Sequence, residues 1–543
     1  MAIPCRLSDA VRGRLDPSWL RITFSDLWEK NADSSPDKEA LADSRTRLTW
    51  YQANQRINQI GYGLIQLGYK KDDCVVVQLP NVVELALLRV ACERAGLLFV
   101  PIVRNLRGKE VEYILNKVDG KLFITLWKYK EFDHYAMVRE MKDRVPVEHV
   151  VVVGDDVPEG AIRFSSFYKQ VHDKAVYKKA FENRKCSAME FSFIASTTGS
   201  TGFPKFVEKP IFSMMEHARP QAKRIEMTAA DVVSIVTPTA GGPNTYGYLN
   251  APLVGAKVVM IEQFEAEETL RRIQEEKITI LSVVPTMMLK MIEHPKFKEY
   301  DLSSVRAIIT GGAACPYDDM KKIEEVTGCP VNSWYGGVDV GIGTLGSTKD
   351  SREVRWKTVG RMFGDFELKV VKEDGTAGAP GEVGEVYLRG VHNYTGYYRD
   401  PEANKAAWTE DNWYKSGDLG KVDEQGNLSI VGRIKDIIIR GGQNISPSEV
   451  EAAIGKFPKV AMVAIVGMPD KLMGEKVCAY VVPRQGESIT LEEMNGFLKQ
   501  NKMAAYKLPE RLEIVHELPM VGDSGKIDKK ILRQDVAKKL ESV

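Results

Sequence analysis

The segment DCVVVQLPNVVELALLRVACERAGLLFVP, residues 73–101, carries the strongest indication of the fold. It starts with a valine run typical of a buried strand, continues with a helix-length apolar segment ending at Gly96, and closes with another strand-like run. Its apolar part, residues 82–101, contains four charged side chains, which a membrane span would not tolerate. The segment therefore predicts a strand, a core helix and a second strand.

The same alternation of strands and helices extends on both sides of this segment. Residues 48–68, LTWYQANQRINQIGYGLIQLG, predict an amphipathic helix that ends at Gly68. Further short runs rich in valine and isoleucine are VVSIVTPT, AKVVMIE, ITILSVVP and VRAIITGG. Such strands, separated by helix-length segments, predict α/β layers with largely parallel sheets.

The pattern changes in the last third of the chain. Short strands, turn glycines and a proline predict a small β-barrel-like antiparallel subdomain at about 351–434. After it, Ser446 to Glu449 and Thr490 to Glu493 have the spacing of helix capping boxes. We therefore predict a large N-terminal domain, 1–434, and a separate small α+β C-terminal domain, 435–543.

Composition excludes several classes of protein. The chain has 543 residues with 75 basic and 74 acidic side chains, so its net charge of +1 gives no field that would hold nucleic acid. Seven cysteines form no CxxC pair, which argues against a zinc site and against a disulfide scaffold. The N-terminus lacks the apolar core of a signal peptide, so we expect a cytoplasmic protein without stable membrane insertion.

The sharpest local motif is STTGSTGFPK, Ser196 to Lys205. It follows a strand-like run and combines two glycines, five hydroxyl side chains and a lysine. Glycines allow backbone N–H groups to face an anion, and hydroxyls and lysine add donors, so the loop suits phosphate oxygens. It lacks the spacing of a Walker loop. By composition alone an ordinary flexible loop is an equal alternative.

Three further polar residues stand out. Asp418 in WYKSGDLG suits the two hydroxyls of a ribose, and Arg433 in IVGRIKD can support it. Lys526 lies in GDSGK, where a glycine-flanked lysine can bring a cation to a reacting phosphate. Taken singly, each also fits an ordinary surface residue.

The order of the motifs is more specific than any one of them. STTGSTGFPK, then YGGVD (335–339), YKSGD (414–418), GRIKDIIIRGGQNISPSEVE (432–451) and SGKI (524–527) resemble the adenylate-forming superfamily. That superfamily contains acyl- and aryl-CoA synthetases, aryl-acid adenylating enzymes and firefly-type luciferases. The resemblance implies a two-step ligation. A carboxylate attacks the α-phosphorus of MgATP to give an acyl-adenylate and pyrophosphate, and a thiol, usually of coenzyme A, then displaces AMP.

The resemblance also implies roles for individual residues. The phosphate loop would comprise Thr197, Thr198, Gly199, Ser200, Thr201, Gly202 and Lys205. Other nucleotide contacts would be Gly311, Gly312 and Ala313 beside the adenine, Tyr335 stacking on it with Gly336 next in the chain, and Asp418 with Arg433 at the ribose. Asp339 would bind Mg²⁺, and Lys526 would be the adenylation lysine. Lys435 would be the hinge of a mobile C-terminal domain, and Gly441 with Gly442 would form the turn beside the thiol channel. A weaker assignment places Tyr246, Trp334, Gly336 and Gly337 in the acid pocket.

Some residues depart from the superfamily pattern. Most members read YGxTE where this chain reads YGGVD, so Val338 lacks a hydroxyl and Asp339 is one methylene shorter than glutamate. In PTAGGPN, Gly241 and Gly242 lie near the position where the family usually has a histidine or an aromatic residue, which suggests an open acid pocket. Family enzymes for hydroxybenzoates tend to have His-Asn there, so the absence of that pair weighs against dihydroxybenzoate. PMVGDSGK has one residue more than the common form before Lys526.

Together these features predict an AMP-forming carboxylic acid–CoA ligase that uses ATP, Mg²⁺ and coenzyme A. The expected substrate is a medium-sized aromatic, alicyclic or branched acid, and a homodimer is left open. The main alternative is a stand-alone adenylating enzyme that loads a carrier protein, and a luciferase-like oxygenase is another. A non-enzymatic sensor is a fourth hypothesis, which Val338 favours but the retention of Lys526, Lys435 and Asp418 opposes.

Overall fold

The structure is a computed structural model that describes residues 22–169, 171–197, 204–238, 244–313, 315–390, 396–520 and 527–541. Its described residues form two compact units. Unit 1 falls within residues 1–367 and 388–414, and unit 2 within 368–387 and 415–543. The predicted functional boundary near Lys435 stays a prediction.

The helices and strands alternate along unit 1 as the sequence predicts. Of the helices named next, the last three lie in unit 2. The helices are α1 (Phe24–Ser34), α2 (Trp50–Gln66), α3 (Val83–Ala95), α4 (Gly108–Val118), α5 (His134–Glu140), α6 (Lys174–Phe181), α7 (Ile211–Arg224), α8 (Ala251–Val254), α9 (Ala266–Glu276), α10 (Pro285–Ile292), α11 (Tyr317–Thr327), α12 (Arg352–Lys357), α13 (Pro401–Ala407), α14 (Pro447–Ile454), α15 (Leu491–Gln500) and α16 (Lys529–Glu541). A π-helical turn covers Tyr246–Asn250, and 3₁₀ turns include Ile434–Asp436.

In the described ranges the strands form four main sheets and one two-stranded hairpin. They are β1 (Glu39–Ala42), β2 (Arg47–Thr49), β3 (Cys74–Gln78), β4 (Leu98–Pro101), β5 (Gly120–Leu126), β6 (Lys128–Tyr129), β7 (Phe132–Asp133), β8 (His149–Val153), β9 (Ile162–Arg163), β10 (Phe191–Ser196), β11 (Phe206–Pro210), β12 (Val232–Ile235), β13 (Lys257–Met260), β14 (Ile280–Val283), β15 (Ala307–Gly311), β16 (Val331–Gly337), β17 (Gly341–Leu345), β18 (Arg361–Met362), β19 (Glu367–Val371), β20 (Gly384–Arg389), β21 (Gly396–Tyr397), β22 (Tyr414–Val422), β23 (Leu428–Arg433), β24 (Ile438–Arg440), β25 (Gln443–Ile445), β26 (Val460–Asp470), β27 (Gly474–Pro483) and β28 (Arg511–Ile514).

Two large sheets make up most of unit 1. The first has the order β18-β17-β16-β15-β14-β12-β13-β1-β2 and the second β21-β11-β10-β4-β3-β5-β8-β9. Their inner strands pair in parallel, whereas β16–β17–β18 and β10–β11–β21 pair antiparallel at one end of each sheet. The prediction of layered, largely parallel sheets is therefore confirmed.

Helix α3 shows how the chain buries the charged residues of segment 73–101. Glu93 accepts a hydrogen bond from the Ser25 backbone N–H at 2.7 Å, and the Arg94 Nε donates to the Ser25 hydroxyl at 2.9 Å. Because these charges have hydrogen-bond partners, their burial is tolerated in a helix whose other side chains are mostly apolar and buried. The helix ends at Gly96, which adopts φ +72°.

Unit 2 contains two smaller sheets. The first is a four-stranded sheet with the order β19-β20-β22-β23. The second is a five-stranded sheet with the order β25-β24-β27-β26, in which β28 pairs with β27. The predicted capping box at Thr490 is confirmed, because Thr490 and Glu493 each accept a hydrogen bond from the other's backbone N–H. The predicted box at Ser446 is wrong: the Ser446 hydroxyl donates to the Val431 carbonyl at 2.7 Å instead of capping α14.

Candidate functional site

The phosphate-loop motif connects β10 to β11 in unit 1. Thr197 donates its backbone N–H to the Lys205 carbonyl at 2.8 Å, and the Lys205 N–H donates to the Thr197 hydroxyl at 3.0 Å. These two bonds close the base of the loop. Thr198, Gly199, Ser200, Thr201 and Gly202 lie outside the described residues. The motif thus begins at the carboxyl end of a strand, where α/β proteins commonly bind ligands.

Gly311, Gly312 and Ala313 follow the carboxyl end of β15. A Cβ on Gly311 would lie 2.6 Å from the Trp334 ring on the neighbouring strand β16, so only glycine fits there. Gly312 adopts φ +74°, a left-handed conformation that favours glycine. The sequence therefore keeps glycines where β15 runs close to a tryptophan and then turns.

Asp339 lies in the tight turn between β16 and β17. Gly337 pairs with Gly341 across this turn, and a Cβ on Gly336 would overlap the Gly341 carbonyl oxygen. Tyr335 and Asp339 are both half-buried. The glycines of YGGVD thus allow the strands to approach closely while the turn presents a carboxylate.

Two tyrosines that the sequence analysis did not select lie next to Asp339. The Tyr397 hydroxyl hydrogen-bonds to the Asp339 carboxylate, and Tyr414 bonds in turn to Tyr397. Burial first, and then the Asp339 charge, raise the pKa of both phenols, so both remain protonated donors. The Lys205 ammonium lies 4.6 Å from the centre of the Tyr397 ring. Unit 1 therefore brings a lysine of the phosphate loop and a carboxylate to the same tyrosine.

The Asp339 carboxylate suits a metal ion that arrives with a nucleotide. Within the described ranges, no three His, Cys, Asp or Glu side chains cluster closely enough to hold a metal ion. Mg²⁺ commonly takes only one or two protein carboxylates, and phosphates and water complete its octahedron. A single carboxylate beside the end of the phosphate loop fits that pattern.

Tyr246 and Trp334, which we assigned to the acid pocket, are both buried. Tyr246 is 0% exposed and Trp334 4% exposed. Neither the Tyr246 hydroxyl nor the Trp334 Nε1 has a hydrogen-bond partner among the described residues. A buried polar atom without a partner is costly and needs an explanation, and a bound ligand is one. Gly241 and Gly242 lie outside the described residues.

Asp418 and Arg433 face each other across two strands of unit 2. They are paired residues of β22 and β23, and the Arg433 Nε lies 2.8 Å from the Asp418 Oδ1. Asp418 is only 8% exposed. Gly417 before it adopts φ +70° and donates its N–H to Glu385 at 2.9 Å. The predicted pair therefore exists as a salt bridge with one buried carboxylate.

Lys435 lies in the 3₁₀ turn Ile434–Asp436, between β23 and β24. Desolvation and the nearby Arg433 lower the pKa of its ammonium. The neighbouring Asp436 forms a salt bridge to Arg533 of helix α16, with the Arg533 Nη2 2.6 Å from the Asp436 Oδ1. The predicted hinge is thus a short turn with a strand on either side.

Gly441 and Gly442 form the tight turn between β24 and β25. They adopt φ +55° and +82°, and the Gly441 N–H donates to the Met473 carbonyl at 2.8 Å. Both are exposed. The sequence therefore requires glycine here for backbone conformation. Lys526 lies outside the described residues.

Across the part of the chain that the structure describes, no helix has the length and apolar character needed to cross a bilayer.

Comparisons with known proteins place these features in context. A family model described as AMP-binding enzyme matches residues 28–398, and one described as AMP-binding enzyme C-terminal domain matches residues 449–526. The chain is 32% identical over 550 residues to the salicylyl-CoA synthase / salicylate adenylyltransferase of a Streptomyces species, covering 100% of this chain and 98% of that protein. It is 27% identical over 533 residues to 2,3-dihydroxybenzoate-AMP ligase of Bacillus subtilis (strain 168), with 97% and 96% covered.

A solved structure gives the same result for the fold. The chain superposes on the crystal structure of the anthranilate CoA ligase AuaEII in complex with anthranoyl-AMP with a TM-score of 0.86. The two chains are 23% identical, and the match covers 96% of this chain and 98% of the other. The predicted fold class and superfamily are confirmed.

Proposed function

Because the chain belongs to the AMP-binding enzyme family, we propose that it is an ATP-dependent carboxylic acid–CoA ligase. In the first step an acid oxygen attacks the α-phosphorus of ATP and expels pyrophosphate. In the second step the sulfur of coenzyme A attacks the acyl carbon and expels AMP. The products are acyl-CoA, AMP and pyrophosphate.

The arrangement around Tyr397 is the observation that best supports this proposal. Lys205 lies over its ring and Asp339 accepts from its hydroxyl, so a cation and a carboxylate occupy one region of unit 1. Phosphoryl chemistry needs both: a lysine to neutralise phosphate oxygens and a carboxylate to hold Mg²⁺. Mg²⁺ would supply charge neutralisation on the phosphates, and Asp339 would hold it.

The substrate we propose is a medium-sized aromatic acid with a polar ring substituent. Two relatives are named for hydroxylated aromatic acids, salicylate and 2,3-dihydroxybenzoate, although the residues of PTAGGPN weigh against the second of these acids. The buried Tyr246 hydroxyl and Trp334 N–H are polar groups that such a substituent could satisfy. Alicyclic and branched acids remain members of the test panel.

The test of this function is an acid panel assayed with and without coenzyme A. Pyrophosphate release and mass spectrometry of the products separate adenylate formation from thioester formation. An acid-dependent thioester with coenzyme A supports the ligase. Adenylate that transfers only to a phosphopantetheinyl carrier protein would favour the alternative, a carrier-loading enzyme. Nucleotide binding without pyrophosphate exchange for any acid would favour a sensor.

Tyr246→Phe is expected to change substrate preference without destabilising the fold. It removes a buried hydroxyl that has no partner among the described residues, so the free energy of unfolding should stay equal or rise. A hydroxylated aromatic acid should lose about 10-fold in kcat/KM through one lost hydrogen bond, while the unsubstituted acid loses little. Tyr51→Phe, at an exposed tyrosine, is the control. Equal losses on both acids would contradict a contact with the substituent.

Asp418→Ala is expected to raise the ATP requirement. The substitution removes a ribose acceptor and leaves Arg433 without this carboxylate partner. Loss of a hydrogen bond to a charged group costs about 1.5–3 kcal/mol, or about 10- to 150-fold in affinity. ATP binding by calorimetry measures it, and Asp423→Ala, which alters the turn of the same hairpin, is the control. Unchanged ATP affinity with weaker acid binding would refute the ribose assignment.

A further inference from the structure

Lys209 is an unusually placed lysine near the end of β11. It is only 8% exposed, and it lies opposite Phe193 of β10 in the antiparallel register. Its ammonium lies 5.9 Å from the centre of the Phe193 ring. Lysine side chains are almost never buried unless an opposite charge accompanies them. The position therefore calls for an anion nearby.

The register of the sheet brings Lys209 to the tyrosine beside Asp339. Val207 pairs with Tyr397 of β21, and Lys209, two residues further along β11, projects from the same face as Val207. Diagonal neighbours of this kind lie about 7–8 Å apart, within reach of a long side chain. Lys205 approaches the Tyr397 ring from the loop end of the same strand. The Lys209 side chain is therefore placed on the same face of the sheet as Tyr397, the tyrosine that hydrogen-bonds to Asp339.

The charges around Lys209 identify its partner. Burial lowers the pKa of its ammonium, the Asp339 carboxylate raises it in part, and the Arg89 charge lowers it, so that the net pKa is about 7. Arg89 itself donates to the Tyr248 carbonyl at 3.1 Å. His217 is neutral, because burial lowers its pKa to about 3, and its Nε2 accepts from the Ile342 N–H at 2.7 Å. Asp339 is thus the anion that partly offsets the cost of burying the Lys209 charge.

We propose that Lys209 is a positioning residue that holds the Asp339 carboxylate, together with Tyr397, in the orientation in which it meets the metal–nucleotide complex. This inference rests on the proposed role of Asp339. The carboxylate stands on a turn with glycines on both sides, which gives its backbone little intrinsic restraint. Groups that orient a metal ligand from behind typically account for 10- to 100-fold in metal affinity. In this proposal the Tyr397 hydroxyl donates a hydrogen bond to the carboxylate and the Lys209 ammonium attracts it, both from the side of β11 and β21.

The first measurement is binding of Mn²⁺ with a non-hydrolysable ATP analogue, by calorimetry, without acid or coenzyme A. Lys209→Met should weaken it about 10- to 100-fold, and Asp339→Asn should weaken it at least as much. Acid binding by Lys209→Met should stay unchanged. Lys223→Met, which removes an exposed lysine of helix α7, should bind like the wild type.

The second measurement needs neither metal nor nucleotide. In thermal unfolding of the free protein, Lys209→Met and Asp339→Asn should each lower Tm because each leaves the other charge uncompensated. The double variant should lose less than the sum of the two shifts. If Lys209→Met does not fold, Lys209→Arg, which keeps the charge, replaces it in the double-mutant cycle. The arginine variant should still show coupling to Asp339 in the Tm shifts.

Each outcome separates the two claims. If Asp339→Asn binds Mn²⁺ and nucleotide normally, the metal role of Asp339 fails and this inference fails with it. If Asp339→Asn weakens binding and Lys209→Met does not, or if the Tm shifts simply add, only the role of Lys209 is overturned. Weaker acid binding with unchanged Mn²⁺–nucleotide binding would also overturn it, because Lys209 would then contact the substrate.

Discussion

Replacing Lys526 by alanine is expected to lower acid-dependent pyrophosphate exchange by about 10²–10³-fold, since a donor to developing charge contributes that much. The family resemblance assigns this lysine to the α-phosphate, where negative charge gathers as the acid attacks. Its loss should damage adenylation alone. Conversion of a supplied acyl-adenylate to the thioester should continue at close to the wild-type rate, because AMP leaves there without help from this lysine.

Two assays on one preparation test this expectation. Exchange of labelled pyrophosphate into ATP reports the first step, and thioester formation from synthetic adenylate reports the second. Lys530→Ala is a matched control, because Lys530 is exposed on helix α16 only four residues further along. If Lys526→Ala exchanges pyrophosphate at the wild-type rate, the assignment of Lys526 as the adenylation lysine is wrong. Equal loss in both steps would assign it to binding of the adenylate instead.

Lys435→Pro is expected to retain substantial adenylation but to lose about 10²-fold or more in thioester formation, with adenylate accumulating on the enzyme. Lys526 is proposed to act in the first step and the Gly441–Gly442 turn in the second, about 85 residues apart in the chain. If they face the adenylate in turn, the backbone at the hinge must change its dihedral angles. Proline fixes φ near −65°, a value already suited to the 3₁₀ turn. The hinge is then held in one conformation. A misplacement of the reacting groups by even about 1 Å can lower the rate by about 10²-fold.

Single-turnover assays of each half-reaction measure this effect. Lys435→Ala removes the ammonium but leaves the backbone free, so both steps should proceed and any difference from proline reports rigidity. A cooperative thermal transition in both variants establishes that they fold. Equal loss of the two steps in a folded proline variant would reject the hinge assignment, as would normal thioester formation.

The sequence predicts those features that depend on neighbouring residues. Strand β3 and helix α3 lie where the valine run and the apolar segment indicate, and Gly68 and Gly96 end their helices in left-handed conformations. Asp418 and Arg433 are selected by motif and prove to be cross-strand partners. Here local pattern and family motif are sufficient.

Other features depend on contacts that no local pattern contains. Tyr397 hydrogen-bonds to Asp339, 58 positions earlier in the chain, and Lys209 is brought towards that tyrosine because β11 pairs with β21. The aromatic-rich NYTGYYRD and a lone lysine in a strand-like run were the available signals, and neither specifies a partner. The box at Ser446 fails for the same reason: its hydroxyl bonds to Val431, on a strand outside the local helix pattern.

The salt bridge between Asp418 and Arg433 has a consequence for how ligands influence one another. Arg433 is the last residue of β23 and the N-cap of the turn Ile434–Asp436, so the group proposed to support the ribose is covalently joined to the proposed hinge. If Lys435 is the hinge, a ligand that shifts Arg433 also shifts the equilibrium of the hinge. Thermodynamic linkage makes this reciprocal: if coenzyme A favours one hinge conformation, it must change the affinity for AMP by the factor by which AMP changes the affinity for coenzyme A.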